Sequence, residues 1–236
     1  MGETTALALL SYDEREALER LLPMIPLARF DTVLAIDPGS TDGTLELYRA
    51  HGIPVHIQAA RGRGNAFLVA QQVAGTDRIV FFSADGNEDP RDLPTMLRYL
   101  DEGYDLVIAG RFLQRGATSD DSDDPLRVRK LGNIVYSLLV RLLWSSGVFD
   151  SINGYRAMRV EAMRRMRLDA PLHEIELQST IRAAKLGMRI KEFPTREQPR
   201  LGGVRKVSAA TWTLGWRIGG FLLREIVIGR RFVRTE

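Results

Sequence analysis

Cysteine is missing from this 236-residue chain, and histidine occurs only three times. Without cysteine, neither a disulfide framework nor a thiolate metal site is possible. The histidines His51, His56 and His173 are scattered, so a histidine-based metal cluster has little support. The net charge of +3 argues against a general nucleic-acid-binding protein and for a local basic surface. With 44% hydrophobic and 27% charged residues, the chain fits one large domain or a domain with an extension.

Long apolar runs are missing as well. No window of about 18 apolar residues is free of charge, so a membrane-spanning helix is not expected. The first residues, Met-Gly-Glu-Thr-Thr, lack the basic start and the cleavage site of a signal peptide. We therefore expect a cytoplasmic protein that is peripheral to the cytoplasmic face of a membrane.

The first half of the sequence alternates short apolar segments with amphipathic ones. Strands are predicted over residues 5–10, 32–36, 54–58, 79–83 and 105–109, with a later one over 188–193. Helices are predicted over 14–25, from about 44 to 50, and over 126–145 and 172–186. Another helix is predicted to follow the segment 61–66 and to end at 73. Strands that alternate with helices indicate crossover units, so an α/β fold with a mostly parallel sheet flanked by helices is expected.

Polar residues follow four of these strands at their carboxyl ends. Tyr12 and Glu14 follow the first strand, Asp37 ends the second, and Asp85 and Arg111 follow the strands at 79–83 and 105–109. Ligands of open α/β sheets bind at this edge. The four groups are therefore expected to converge on one site.

The residue types at this edge suit a nucleoside diphosphate and a metal ion. Asp85 and Asn87 offer the oxygen ligands that Mg²⁺ or Mn²⁺ prefers, and such ions commonly use one or two protein oxygens plus substrate phosphates. Tyr12 offers a stacking face, and Asp37 an acceptor for base or ribose groups. We therefore predict a metal–nucleotide site.

Two phosphate-binding signatures are absent: the P-loop, and Gly-x-Gly-x-x-Gly at a first strand–helix turn. The nearest substitute is Arg61-Gly-Arg-Gly-Asn65 at a predicted helix start, where an anion is favoured. It would place Arg63 near a phosphate, although a simple helix-start turn is the alternative interpretation.

Several motifs resemble one known family. Ser11-Tyr-Asp-Glu14 resembles Thr-Tyr-Asn-Glu, and Ile36-Asp-Pro-Gly-Ser-Thr-Asp-Gly-Thr44 resembles Val-Asp-Asp-Gly-Ser-Thr-Asp-Gly-Thr. Gly62-Arg-Gly-Asn-Ala66 is similar to Gly-Lys-Gly-Asn-Ala, and Phe82-Ser-Ala-Asp-Gly-Asn-Glu-Asp-Pro90 to Leu-Asp-Ala-Asp-Gly-Gln-His-Asp-Pro. Over residues 5 to about 207 the chain resembles family 2 glycosyltransferases of the GT-A fold, in the branch of the dolichol-phosphate mannose and polyprenyl-phosphate glycosyltransferases. Four further matches support that branch: Ala109-Gly-Arg111, Arg129-Lys-Leu-Gly-Asn133, Asp150-Ser-Ile-Asn-Gly-Tyr-Arg-Ala157 and Arg200-x-Gly-Gly-x-x-Lys206.

The resemblance implies a role for each matching residue. The residues implied to bind the nucleotide sugar are Ser11, Tyr12, Glu14, Asp37, Arg63, Ser83, Ala84 and Asp85. Asp85 and Asn87 would bind Mg²⁺ or Mn²⁺. The residues implied to face the phosphates, those of the acceptor in particular, are Arg111, Arg129, Asn133, Arg200 and Lys206. Asp85, Arg111 and Arg129 would be catalytic.

Structural alternatives stand beside several of these roles. Arg111 and Arg129 could instead form ion pairs with local acids, and Asn133 could lie on a helix surface. For Asp150 and Arg156 we favour a mutual ion pair that fixes their turn.

Two departures from the family pattern bear on the metal. Pro38 replaces the second Asp of Asp-Asp-Gly-Ser, so Asp37 acts without an acidic neighbour. Ser83 replaces the first Asp of Asp-x-Asp, and a hydroxyl brings no charge. The metal site would then be weaker, metal dependence could be relaxed, or catalysis could be lost.

The resemblance implies inverting transfer of a sugar from a UDP- or GDP-sugar to a polyprenyl phosphate, such as dolichyl or undecaprenyl phosphate. Two alternatives stay open: a soluble acceptor, and a non-catalytic protein that binds nucleotide sugars. We expect a GT-A domain over residues 1–207 and an amphipathic helix over 208–236. That helix, rich in Trp and Arg beside apolar residues, would lie on a membrane surface, pack on the domain, or form a homodimer. The acidic segment 114–125 is expected to be either a solvated loop or a lid over the site.

Overall fold

The computed structural model describes residues 2–113, 128–202 and 211–233. The seven strands of its sheet are β1 (Thr5–Leu10), β2 (Thr32–Asp37), β3 (Val55–Ile57), β4 (Arg78–Ser83), β5 (Leu106–Gly110), β6 (Arg156–Arg159) and β7 (Ile190–Pro194). The α-helices of the described residues are α1 (Arg15–Leu21), α2 (Thr44–Ala50), α3 (Arg63–Val73), α4 (Leu93–Asp101), α5 (Val128–Trp144), α6 (Val160–Met166), α7 (Glu174–Lys185) and α8 (Thr211–Ile228).

The strands lie in the order β3-β2-β1-β4-β6-β5-β7. All neighbouring pairs are parallel except those of β6, which runs antiparallel to both β4 and β5. The predicted mostly parallel α/β fold is therefore confirmed. Strand β6 follows the turn at 150–155, and the sequence did not indicate that it runs in the opposite direction between β4 and β5.

The sheet is buried on both faces. Strands β1, β4 and β5 consist of buried residues throughout, as their unbroken apolar sequences predict. On one face, Phe67 of α3 stacks on Phe81 of β4 with ring centroids 3.8 Å apart. On the other face, α1 and α4 bury Leu18 and Leu100. Helices therefore cover both faces, and the carboxyl ends of the parallel strands are left to form a site.

Two local predictions differ from the structure. The helix expected over 14–25 ends as an α-helix at Leu21 and continues as a 3-10 turn over Leu22–Met24, because Pro23 enters that turn. Helix α6 had not been predicted. It buries Val160, Ala162, Met163 and Met166 against the core.

The predicted C-terminal helix is present and packs on the domain. Ile218, Phe221 and Leu222 of α8 are buried in the core, and Glu225 is fully buried. Glu225 accepts hydrogen bonds from Arg182 and Lys185 of α7. Of the helices described, none combines the length and the apolarity that a membrane crossing requires.

Candidate active site

The predicted convergence of polar residues is found at the carboxyl ends of three adjacent strands. Strand β1 lies between β2 and β4, and Leu10 is in register with both Ile36 and Ser83. The residues that follow these strand ends therefore share one edge of the sheet. Arg111 follows β5, which lies two strands from β4, beyond the inserted β6.

Asp37 organises the loop after β2. Its fully buried carboxylate accepts hydrogen bonds from the hydroxyls of Ser11 and Ser40, both at 2.7 Å. It also accepts from the backbone N–H groups of Gly39 (2.8 Å) and Ser40 (2.6 Å). The bond from Ser11 ties the end of β1 to that of β2, and the other three fix the loop after β2. The contact of Asp37 with a base or ribose stays a prediction. Some of these hydrogen bonds would have to rearrange before Asp37 could make such a contact.

Arg200 bridges two of the three carboxylates that were predicted for the donor site. Its Nη1 lies 2.9 Å from Asp85 Oδ2, and its Nη2 lies 2.6 Å from Glu14 Oε1. Backbone bonds from Gln198 N–H to the Asn87 carbonyl (2.8 Å) and from Leu201 N–H to the Asp85 carbonyl (3.1 Å) hold this segment over the turn after β4. Arg200 is thus brought directly against the donor-site acids, a contact that sequence reasoning missed.

The turn after β4 has oxygen atoms that suit a divalent cation. Among the described residues, no group of three or more His, Asp or Glu side chains is arranged to hold a metal. Asp85 is nevertheless partly exposed, and the buried Oδ1 of Asn87, two residues on, has no hydrogen-bond partner. An unpartnered amide oxygen beside a carboxylate fits an ion that completes its shell with substrate phosphates.

Ser83 belongs to a buried network that contains a carboxylate the sequence analysis did not single out. Glu88 accepts from the Ser83 backbone N–H (2.6 Å) and hydroxyl (2.8 Å). Arg63 donates to the same hydroxyl (3.0 Å) and lies 3.6 Å from Glu88. Arg63 Nε also lies 2.5 Å from Oε1 of Glu176, on α7. Glu88 could have been noticed from its position in the turn after β4. Glu176 is distant in sequence, and no motif or local pattern indicated that it reaches this turn.

Burial raises the pKa of Glu88 to about 7, although Arg63 and the bond from the Ser83 N–H act in the opposite direction. For Arg63, burial lowers the pKa, but Glu176, Glu88 and Asp85 outweigh it and the net shift is upward. Arg63 therefore stays charged and lies close to three carboxylates. Gly154 makes room for it, since a Cβ atom there would overlap the guanidinium group.

The expected ion pair between Asp150 and Arg156 was wrong. Arg156 is fully buried and donates instead to the carbonyls of Asn153 (2.9 Å) and Glu176 (2.7 Å) and to the Ser179 hydroxyl (2.6 Å). It therefore joins the turn before β6 to α7. Local sequence could not indicate this, because the carbonyls of α7 come within reach only in the folded sheet.

Asp150 pairs with Arg111, as the structural alternative for Arg111 had proposed. Arg111 donates from Nε (2.7 Å) and Nη2 (3.0 Å) to the fully buried Asp150 carboxylate. The Asp150 and Phe149 backbone N–H groups in turn donate to Glu192 on β7, at 2.8 and 2.7 Å. Burial raises the pKa of Glu192 to about 7, with a further rise from Asp150 and a lowering from these bonds. Arg111 is thus held rigidly at the edge of the site.

The remaining predicted residues are placed as follows. The ring of Tyr12 lies under the guanidinium group of Arg61, 3.8 Å from its carbon, so the expected stacking face is in contact with a cation. Ala84 is fully buried, and Asn133 is half-buried on α5. The side chain of Arg129, Lys206 and the segment 114–125, expected to be a solvated loop or a lid, lie outside the described residues.

Comparison with known proteins agrees with the resemblance read from the motifs. Residues 11–167 match the family described as glycosyl transferase family 2. The chain belongs to this family. It is therefore a transferase.

Three relatives from bacteria and archaea have similar sequences. The chain is 30% identical over 222 residues to polyprenol monophosphomannose synthase of Mycolicibacterium smegmatis, covering 88% of this chain and 82% of that protein. It is 30% identical over 214 residues to undecaprenyl-phosphate mannosyltransferase of Micrococcus luteus, covering 84% and 85%. It is 31% identical over 196 residues to the glycosyltransferase AglJ of Haloferax volcanii, where it covers 82% of this chain but only 62% of that protein.

Solved structures support the GT-A fold. Glucosyl-3-phosphoglycerate synthase of Mycobacterium tuberculosis, with Mn²⁺, UDP-glucose and phosphoglyceric acid, superposes with a TM-score of 0.74. The identity is 24%, with 94% of this chain and 79% of the other covered. The same enzyme was crystallised with Mg²⁺ and UDP. A divalent metal beside a nucleoside diphosphate is therefore compatible with this fold.

Proposed function

We propose that this protein transfers a sugar from a nucleotide-sugar donor to a polyprenyl phosphate with inversion at the anomeric carbon. The observation that carries the proposal is the turn after β4, at the edge shared by β1, β2 and β4, which contains the partly exposed carboxylate of Asp85 and the unpartnered oxygen of Asn87. Relatives of nearly full length that are named for polyprenyl-phosphate mannose transfer support this choice of acceptor.

In the proposed reaction, an oxygen of the acceptor phosphate forms a bond to the anomeric carbon while the bond to the nucleoside diphosphate breaks. A phosphate monoester has a second pKa of about 6, so the acceptor is largely a dianion near neutral pH and needs no strong general base. The protein contributes positioning and charge neutralisation. Mg²⁺ or Mn²⁺, held by Asp85 and Asn87, would neutralise the diphosphate.

The residues of the chain divide between the two substrates. We assign Tyr12, Glu14, Asp37 and Asp85 to the donor, with Ser11, Ser83 and Ala84 shaping the strand ends and Arg63 close to the diphosphate. The proposed contacts of the acceptor phosphate are Arg111, Arg129, Asn133, Arg200 and Lys206. Because Arg200 bridges Glu14 and Asp85, it must release at least Asp85 before a metal binds there. Donor binding would thus free Arg200 for the acceptor.

An exposed apolar surface supports a lipid acceptor at a membrane. Helices α5 and α8 are packed together, and each leaves one apolar stripe exposed. The stripe of α5 consists of Leu131, Val135, Leu138 and Leu142, and that of α8 of Trp216, Leu223 and Val227. The exposed Arg141, Arg230 and Arg231 lie on or beyond these helices. Apolar and aromatic residues with a basic border are typical of a surface that rests in a membrane interface.

The reaction is tested with radiolabelled UDP- and GDP-sugars and a short polyprenyl phosphate in the presence of Mn²⁺ or Mg²⁺, followed by extraction into organic solvent. We expect label in the organic phase. Asp85→Ala should lower transfer at least about 100-fold, since it removes a charge from the site, while Glu102→Gln on the exposed end of α4 should have no effect. Substantial transfer by Asp85→Ala would refute the metal assignment. Nucleotide binding without lipid labelling would instead favour a soluble acceptor or a silent site.

Membrane association is tested by flotation with vesicles that contain anionic lipid. The triple variant Trp216→Ser, Leu223→Ser and Val227→Ser changes exposed side chains only, whereas truncation of α8 would uncover buried charges. We expect this variant to lose vesicle binding. The matched control, Met24→Ser and Ile57→Ser, changes exposed apolar residues elsewhere and should bind normally. Unchanged flotation would refute the membrane role of this surface, and a switch from dimer to monomer on mutation would instead indicate a homodimer surface.

A further inference from the structure

Glu88 is a buried carboxylate of the turn after β4 for which the proposed reaction has no role. It is 8% exposed, and it lies next to the position at which Ser83 replaces the first Asp of the Asp-x-Asp pattern. The same pattern has His at position 88. This turn has therefore lost one acid and gained another within six residues.

The structure brings the two changed positions into direct contact. One carboxylate oxygen of Glu88 lies 2.6 Å from the Ser83 nitrogen, and the other lies 2.8 Å from the Ser83 hydroxyl. The carboxylate thus fills the space immediately beside residue 83. The hydroxyl of Ser83 accepts from Arg63 while donating to Glu88, so its size and hydrogen-bonding capacity both suit this arrangement.

The charges around the turn also leave a role for a cation. Arg63 contacts Glu88 and Glu176, and Arg200 contacts Glu14 and Asp85. Each of these guanidinium groups is therefore shared between two acids, and one buried oxygen of Glu176 has no hydrogen-bond partner.

We propose that Glu88, positioned by Ser83 and Arg63, supplies the negative charge that an aspartate at position 83 would otherwise bring to the metal–diphosphate site. It is a positioning residue, acting through Ser83 and Arg63 on the ion held by Asp85 and Asn87. The inference rests on the proposed function in assuming a divalent metal there. It explains why the Ser83 substitution is compatible with a working site.

The test measures Mn²⁺ affinity by electron paramagnetic resonance in the presence of UDP or GDP, without any acceptor. Glu88→Gln keeps an oxygen for the Ser83 N–H but removes the charge. Its Mn²⁺ affinity should fall about 10- to 100-fold, as is typical for outer groups of a metal site. Adding Ser83→Asp to Glu88→Gln should restore affinity to within about threefold of the wild type, because it returns a carboxylate that lies within reach of Arg63 and to which the amide introduced at position 88 can donate. Glu102→Gln serves as the matched control.

A structural role for Glu88 predicts a different pattern. With a purely structural role, Glu88→Gln would lower the midpoint of urea unfolding without changing the Mn²⁺ affinity, and the added Ser83→Asp would not raise that affinity. Either an unchanged Mn²⁺ affinity in Glu88→Gln or a failure of Ser83→Asp to restore it overturns the proposal. If Glu88→Gln does not fold, the test uses the double variant Glu88→Gln and Ser83→Asp. A Mn²⁺ affinity of that variant more than about tenfold below the wild type overturns the proposal. Because no turnover is measured, normal metal binding with no lipid labelling would refute the proposed reaction but not the role of Glu88.

Discussion

The buried carboxylate of Glu225 should be the main connection between the C-terminal helix and the rest of the domain. It is fully buried on α8 and accepts from Arg182 Nη2 (2.9 Å) and Nε (3.1 Å) and from Lys185 Nζ (2.8 Å). Burial alone would raise the pKa of Glu225, but the bonds from these two cations outweigh it and hold the pKa below its usual value. The carboxylate is therefore ionised at neutral pH.

Replacing Glu225 with alanine would leave two buried cations without their shared partner. Breaking a buried ion pair from one side costs about 3–5 kcal/mol. Arg182 keeps a bond to the Met166 carbonyl (3.1 Å), and burial already lowers the pKa of Lys185, which reduces the cost of its neutral form. Both effects reduce the cost, so we expect about 3 kcal/mol for Glu225→Ala. Glu225→Gln should lose less, since its amide oxygen still accepts from Arg182.

The measurement is the free energy of unfolding in urea at pH 7.5. Glu19→Ala is the control, because Glu19 forms an exposed pair with Arg15 and should change stability by less than about 1 kcal/mol. A carboxyl whose pKa is lowered in the folded state stabilises the fold at pH values above its unfolded-state pKa. This stabilisation is lost as the pH falls through the folded-state pKa. The difference between wild type and Glu225→Ala should therefore shrink below about pH 4. An unfolding free energy for Glu225→Ala no lower than that of Glu19→Ala would refute the reasoning.

Two further variants probe the edge of the site. Gly154→Ala should displace Arg63 and weaken the binding of UDP or GDP, measured by calorimetry. The control is Gly220→Ala, where a Cβ atom has open space and binding should be unchanged. Equal binding by the two variants would contradict this reasoning. Because the pKa of Glu192 is raised to about 7, its contribution to stability is present below about pH 4.5 and is lost as the pH rises through 7. From pH 5 to pH 8, wild type should therefore lose about 2 kcal/mol relative to Glu192→Gln in urea unfolding, and parallel pH profiles would disprove it.

Much of the fold could be read from local sequence, because local sequence decides local structure. The unbroken apolar run before Ser83 predicted a strand buried on both faces, and the turn formers after it predicted its end. Asp89 accepts from the Arg91 N–H at 3.0 Å, as expected for a helix N-cap followed by proline. The alternation of strands and helices was sufficient to place Asp85 and Asp37 at one edge of a parallel sheet.

The sequence did not determine which charged groups pair. Arg111, Arg156 and Arg63 each had several acids or carbonyls within possible reach, and their partners came from segments distant along the chain. The reversed strand β6 decided this outcome. By entering between β4 and β5, it brings the turn at 150–155 beside Arg111 and lets Gly154 admit Arg63.

By itself, the sequence therefore determined the α/β fold, the order of its motifs and the family to which they belong. Only the tertiary structure decided that Glu88 fills the space beside Ser83, that Arg200 bridges Glu14 and Asp85, and that α8 is fastened by a buried ion cluster. The physical reason is one of range. Hydrophobic periodicity and turn chemistry act between near neighbours in sequence, whereas a buried charge is stabilised by whichever opposite charge the fold brings within about 3–4 Å.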